Sequence, residues 1–158
     1  MSPKAGSKSV VIDASVLLAF YLPAEPYKTQ ALVLLEEATA GRVKLVVPTL
    51  THYEVLNVLS LATRGLKRGQ KISLDEAQEI LTAMKALKLE VRDVQSLEKR
   101  ILEITQRHQC SAYDAAYLAL AEQWGADLLT GDERFYNALK AHFKQVKFVG
   151  SYKAQPAP

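Results

Sequence analysis

Four carboxylates stand at points where the chain changes character. Asp13 follows Val10-Val11-Ile12, Glu54 lies in Thr51-His52-Tyr53-Glu54, Asp114 in Ser111-Ala112-Tyr113-Asp114, and Asp132 in Thr130-Gly131-Asp132. Gathered in one place, such oxygen ligands suit a hard divalent ion, Mg2+ or Mn2+. An ion held that way can drive hydrolysis of a phosphate ester. Each acid also has a plainer use. Asp13 before Ala14-Ser15-Val16 can cap a helix, and Asp132 after a glycine can serve a turn or a cap. Thr51-x-x-Glu54, Ser111-x-x-Asp114 and Thr130-x-x-Glu133 all match the capping box, and taken singly each is better explained as a helix start. The surroundings shift the balance. Val58 and Leu61 continue from Glu54 at helical spacing, and Leu118 and Ala121 continue from Asp114, so both acids lie along apolar stripes. No Lys or Arg stands within four residues of either acid, and a carboxylate beside a core is costly without a partner. A bound cation resolves that cost.

The elements that must position these acids are legible. Ser9–Asp13, Lys44–Val47, Leu89–Val91, Ala126–Leu129 and Val146–Val149 are short apolar runs that read as five strands. Between them lie helical patterns over Tyr27–Ala40 (stopped by Gly41), Leu50–Arg64, Ser73 to about Leu87, the stripe of Leu97, Ile101 and Ile104, Ala112–Trp124 (stopped by Gly125), and a short helix near Asp132. Alternation of strands and helices predicts an α/β chain: a three-layer α/β/α sandwich around a central, mainly parallel five-stranded sheet. In such a sheet ligands bind beyond the carboxyl ends of the strands, which is where Asp13, Glu54 and Asp132 fall. Residues 1–8 and 151–158 read as flexible extensions of one domain over 9–150.

Composition agrees with one globular unit: 158 residues, 49% hydrophobic and 23% charged. A lone cysteine, Cys110, offers no intramolecular disulfide, which points to a reducing cytoplasmic setting. No stretch approaches the ~20 apolar residues of a membrane span. The net charge of +3 is too mild to name a partner.

The blocks Val-Ile-Asp13-Ala-Ser15, Val-Pro-Thr-Leu-Thr-His-Tyr-Glu54-Val-Leu-Asn57, Ser-Ala-Tyr-Asp114-Ala-Ala-Tyr and Leu-Leu-Thr130-Gly-Asp132-Glu-Arg-Phe135 occur in one order across residues 9–150. Together they resemble the PIN domain, and within it the VapC-type toxins. The resemblance implies a metal-dependent endoribonuclease. It places Asp13, Glu54, Asp114 and Asp132 as catalytic, metal-holding acids, with Ser15, Asn57 and Thr130 as hydrogen-bonding groups behind them. Mg2+ or Mn2+ is the implied cofactor, RNA the substrate, a VapB-like antitoxin the neutralising partner, and a homodimer the assembly. Glu133, next to Asp132, is a second acid in the same loop.

Arg64, Lys67, Arg68 and Lys71 form the densest cationic stretch, placed to contact RNA phosphates without reading sequence, and Arg42 with Lys44 adds another. The other reading is a solvated helix end. Helix Leu50–Arg64 is apolar nearly all round, enough to face a second copy or an antitoxin. Tyr113, Tyr117 and Trp124 read as core or interface residues, and His52, His108 and His142 as scattered polar positions. Two other functions share the chemistry of acids at a sheet edge. A receiver-type phosphoacceptor would use Asp93 and need a lysine just after the fifth strand, where Lys153 falls too late. A PIN-like fold without catalysis would only bind RNA or a partner.

Overall fold

The computed structural model describes residues 7–156. Five strands form the centre: β1 (Lys8–Ile12), β2 (Val43–Pro48), β3 (Glu90–Arg92), β4 (Asp127–Thr130) and β5 (Val146–Phe148). Seven α-helices connect them: α1 (Ala14–Ala19), α2 (Lys28–Thr39), α3 (Leu50–Thr63), α4 (Leu74–Ala86), α5 (Glu98–His108), α6 (Ala112–Trp124) and α7 (Glu133–Leu139). The strands pair in the order β3-β2-β1-β4-β5, every pair parallel. This order differs from the 2-1-3-4-5 order of receiver-type domains, which removes that reading. Asp93 is engaged locally, its Oδ1 accepting from the Gln95 backbone N–H at 2.6 Å.

The apolar runs of β1 and β2 are continuous because both faces of these strands are covered. Val10, Ile12, Leu45 and Val47 face α1–α4, with Val16, Leu17, Leu34 and Leu59. Val11, Val46 and Leu128 face α5–α7, with Ile104, Leu118, Leu120 and Leu139. Successive strand residues thus feed opposite layers, as period-two geometry requires. The edge strand β3 is covered less well, and Val91 is partly exposed.

Connections β1→β2→β3 run one way across the sheet and β4→β5 the other, so order reverses between β1 and β4. Val10 pairs with Asp127 and Ile12 with Leu129 in this register. Asp13 and Thr130 therefore leave the sheet side by side, and the Asp13 N–H donates to the Leu129 carbonyl at 3.2 Å.

Some local signals resolve differently from their sequence reading. Ser73 does form a capping box with Glu76. Thr51 does not cap: it is the second residue of α3, is buried, and shares a hydrogen bond with the Tyr117 hydroxyl at 2.8 Å. Thr130 is not a cap either, because Asp132 takes that position. The closing residues are held rather than loose through residue 155. Tyr152 packs on the core, and its hydroxyl and the Gln155 N–H both donate to Glu37, a carboxylate only 1% exposed in α2. Of the N-terminal extension, residues 1–6 lie outside the described residues and Lys8 opens β1. No helix among the described residues is long and apolar enough to cross a membrane.

Candidate active site

Asp13 caps α1 and is the most constrained of the acids. Its Oδ1 accepts from the Ser15 hydroxyl at 2.5 Å and the Val16 N–H at 3.2 Å, and its Oδ2 accepts from the Thr130 hydroxyl at 2.5 Å. Those hydroxyls are themselves aimed. The Gly131 N–H donates to Ser15 Oγ at 2.8 Å, and the Asp132 N–H donates to Thr130 Oγ1 at 3.0 Å. Two backbone-to-hydroxyl-to-carboxylate relays thus tie the loop after β4 to Asp13. A side chain at position 131 would crowd the first relay, since a Cβ there would lie 3.2 Å from Ser15 Oγ. Capping and positioning coexist in Asp13, because Oδ1 serves the helix while the second relay holds Oδ2.

Glu54 lies in α3, one turn past its start. Its Oε1 accepts from the Tyr117 hydroxyl at 2.7 Å, and that hydroxyl also meets Thr51. Tyr117 is 2% exposed, so it is core as expected and also the support of an acid, a role its sequence reading missed. The available signal was its position three residues after Asp114, on the same face of α6. Asp114 sits in the first turn of α6, its N–H donating to Ser111 Oγ at 3.1 Å. Asp132 caps α7 through Oδ1, which accepts from the Arg134 and Phe135 N–H groups at 3.0 and 3.1 Å. Glu133 is occupied elsewhere, accepting from the Tyr27 hydroxyl.

The electrostatics link the four acids in a row. Burial raises the Asp13 carboxyl from 3.8 to about 6 against the pull of its hydrogen bonds, and the charge of Glu54 adds to the rise. Glu54 is raised by burial and by Asp114, and Asp114 by burial and by Asp132. Among the described residues none of the four is in an ion pair; the cations pair instead with Asp127, Glu90, Glu25, Glu103 and Glu122. Mutually repelling acids without a counter-cation form a donor set that fits a divalent ion. Among the described residues no three acid, histidine or cysteine side chains already form a ligand shell. Mg2+ and Mn2+ are commonly held by one or two carboxylates directly and by others through water.

A cavity of about 280 Å³ opens beside Glu54, lined by Ala14, Ser15, Leu18, Glu25, Glu54, Asn57, Val58 and Lys67; of the four acids only Glu54 lines it. Asn57 is exposed at its mouth. Of the expected RNA contacts, Arg64, Arg68 and Lys71 are exposed, whereas Lys67 is paired with Glu25 at 3.1 Å. Lys44 is taken up by Glu90 at 3.0 Å. A larger cavity of about 340 Å³ lies toward the start of β1 and β4, but its one carboxylate, Asp127, is paired with Lys8. His108 and His142, far apart in sequence, come together with ring centroids 4.9 Å apart.

The model of the PIN domain matches residues 10–140. Ribonuclease VapC3 of Pyrobaculum aerophilum is 37% identical over 126 residues, which cover 79% of this chain and 90% of that protein. The crystal structure of PAE2754 from Pyrobaculum aerophilum superposes with a TM-score of 0.65 at 20% identity, covering 92% of this chain and 88% of the other, and so shares the fold. With the sheet order, the acids beside its switch point and these similarities in hand, the chain belongs to the PIN domain family, with a VapC-type ribonuclease among its relatives.

Proposed function

We propose that this protein is a Mg2+- or Mn2+-dependent endoribonuclease of the VapC type, the toxin of a toxin–antitoxin pair. The observation that carries the reading is the row of four acids in which Asp13, Glu54 and Asp114 are each raised by burial and by the charge of the next, with none of the four in an ion pair among the described residues. The similarity to Ribonuclease VapC3 supports RNA as the substrate class.

Asp13 and Asp114 would hold the ion directly, with Glu54 and Asp132 completing its shell through water or a second ion. When bound, the ion supplies positive charge at the phosphate and makes the attacking water more acidic. Asp13 contributes a fixed orientation, because both of its oxygens are held by hydroxyls that are themselves pinned. Tyr117 occupies Glu54 Oε1, which leaves Oε2 to take the proton from the attacking water. A carboxyl raised by burial and a neighbouring charge is a better base near neutral pH than an ordinary one. Cleavage then leaves a 5′-phosphate and a 3′-hydroxyl. Arg64, Arg68 and Lys71, exposed on the turn after α3, would track the RNA backbone.

Tyr53 and Leu56 leave an apolar strip exposed on α3, at 77% and 46%. This strip supports pairing with a second copy or cover by a VapB-like antitoxin. Cytoplasmic residence follows from the same reading.

The test is cleavage of structured RNAs by metal-stripped protein with and without Mn2+, using wild type and Asp114→Asn. Cleavage should appear only with metal and only in the wild type. Metal-independent cleavage, or full activity in the variant, overturns the proposal.

A further inference from the structure

The cavity beside Glu54 holds an ion pair that the sequence does not announce. Lys67, on the turn between α3 and α4, reaches Glu25, on the turn between α1 and α2, with Nζ to Oε1 at 3.1 Å. Both side chains are largely enclosed, at 27% and 15% exposure, and both line the cavity that Ser15, Glu54 and Asn57 line. The loop that carries Glu25 is fixed by another means. Gln70 is 6% exposed, and with its amide oriented to satisfy its neighbours its oxygen accepts from the Ala24 and Glu25 N–H groups at 3.3 and 3.2 Å. The loop is thus anchored through its backbone N–H groups, and the Glu25 carboxylate is engaged with Lys67, with the Gln70 amide also 3.4 Å from its Oε1.

A lysine in the same cavity as an uncompensated carboxylate has two uses available to it. Its ammonium can meet a substrate phosphate, or it can fall onto Glu54 and neutralise it. A long flexible ammonium finds the nearest unpaired carboxylate unless something holds it. Collapse onto Glu54 would place a positive charge where a divalent ion must enter, weakening binding of that ion. Glu25 supplies the competing partner. Its carboxylate keeps Nζ at the cavity wall.

We propose that Lys67 seats the scissile phosphate of RNA at the edge of the acid row, and that Glu25 is its positioning residue, parking the ammonium off Glu54 so that the metal position stays open. This rests on the nuclease reading and names the residue that brings the substrate to it. When RNA enters, the ammonium keeps Glu25 as one partner and gains a phosphate oxygen as another, which three N–H donors allow. Arg64, Arg68 and Lys71 lie outside this cavity lining and serve only the flanking backbone.

The experiment uses the full chain as wild type, Glu25→Gln, Lys67→Met, Lys67→Arg and the Glu25→Gln/Lys67→Met double variant. Calorimetric titration of the metal-stripped proteins with Mn2+, without RNA, reads the parking role. Glu25→Gln should bind Mn2+ about tenfold more weakly, a change of about 1.4 kcal/mol. Lys67→Met should bind it at least as tightly as wild type, and the double variant should recover wild-type affinity. Binding of a fluorescent RNA by the same substitutions placed in an Asp13→Asn background, over a salt series, reads the phosphate role. Lys67→Met should weaken binding and lower the salt slope by about one, while Lys67→Arg retains both. Wild-type Mn2+ affinity in Glu25→Gln overturns the parking role, and an unchanged salt slope in Lys67→Met overturns the phosphate role. If these two results occur while wild type cleaves RNA with Mn2+ and Asp114→Asn does not, only this proposal falls. If wild type takes up no Mn2+, the nuclease reading falls with it.

Discussion

Replacing Asp13 with asparagine should remove activity and yet make the metal-free protein more stable. In the folded chain the Asp13 carboxyl takes its proton near pH 6 instead of 3.8, chiefly because burial disfavours the charge. At pH 7 the folded protein still holds the carboxylate, but burial makes that charge costlier than it is in the unfolded chain. The gap between the two values corresponds to about 3 kcal/mol of lost stability. Asparagine keeps the shape and an oxygen for Ser15 and Val16. Its NH2 group then faces Thr130 Oγ1, which already accepts from the Asp132 N–H, so the Thr130 hydroxyl loses its acceptor. Losing that bond costs about 1 kcal/mol. The net gain is about 2 kcal/mol, which for a domain of this size is roughly 4–8 °C in Tm. The folded state binds this proton more tightly than the unfolded state, so the wild-type handicap is absent below the unfolded value, grows between it and pH 6, and is complete above pH 6. The variant should lead at pH 7, draw level near pH ~4.5, and trail by about 1 kcal/mol below that. Thermal unfolding of both proteins in chelator across this range is the measurement. Adding Mn2+ should raise the Tm of the wild type and leave the variant nearly unmoved. A variant less stable than wild type at pH 7 in chelator, or a lead that persists on acidification, refutes the argument.

Three other perturbations address the supports of the site and the end of the chain. Tyr117→Phe removes the hydroxyl shared by Thr51 and Glu54, so it should cost about 1–3 kcal/mol in urea unfolding and lower kcat more than it raises KM. Gly131→Ala puts a methyl group 3.2 Å from Ser15 Oγ; displacing that hydroxyl turns Asp13, and kcat should fall by about tenfold with a Tm loss of only a few degrees. A drop in Tm with unchanged kcat would show that the relay only stiffens the loop. Glu37→Ala strips the buried acceptor of Tyr152 and Gln155; limited proteolysis should then release the C-terminal segment early, while Mn2+ affinity stays at the wild-type value.

Much of this protein could be read from the order of its residues. Five apolar runs became five strands, and the helix ends at Gly41 and Gly125 fall where both glycines adopt positive φ, +75° and +57°. The parallel sheet followed from alternation alone. Capping boxes were less secure. Ser73 with Glu76 is real, whereas Thr51 with Glu54 is a coincidence of spacing, because α3 begins one residue before Thr51 and turns that hydroxyl into the core. His108 and His142 looked unrelated because a whole helix, a strand and another helix separate them.

Local order sufficed for periodicity and for caps such as Ser73, which depend on neighbours within about four positions, whereas the four acids were singled out only by the resemblance of blocks spread over residues 9–150. Tertiary structure alone decided what holds the acids and how tightly they keep their protons. The Thr130 to Asp13 bond spans 117 positions, Gly131 to Ser15 spans 116, and Tyr117 to Glu54 spans 63. Glu25 and Lys67 join the same cavity only because two turns meet above α1 and α3. Burial and the approach of like charges set a carboxylate's affinity for a proton, and both are properties of the folded volume.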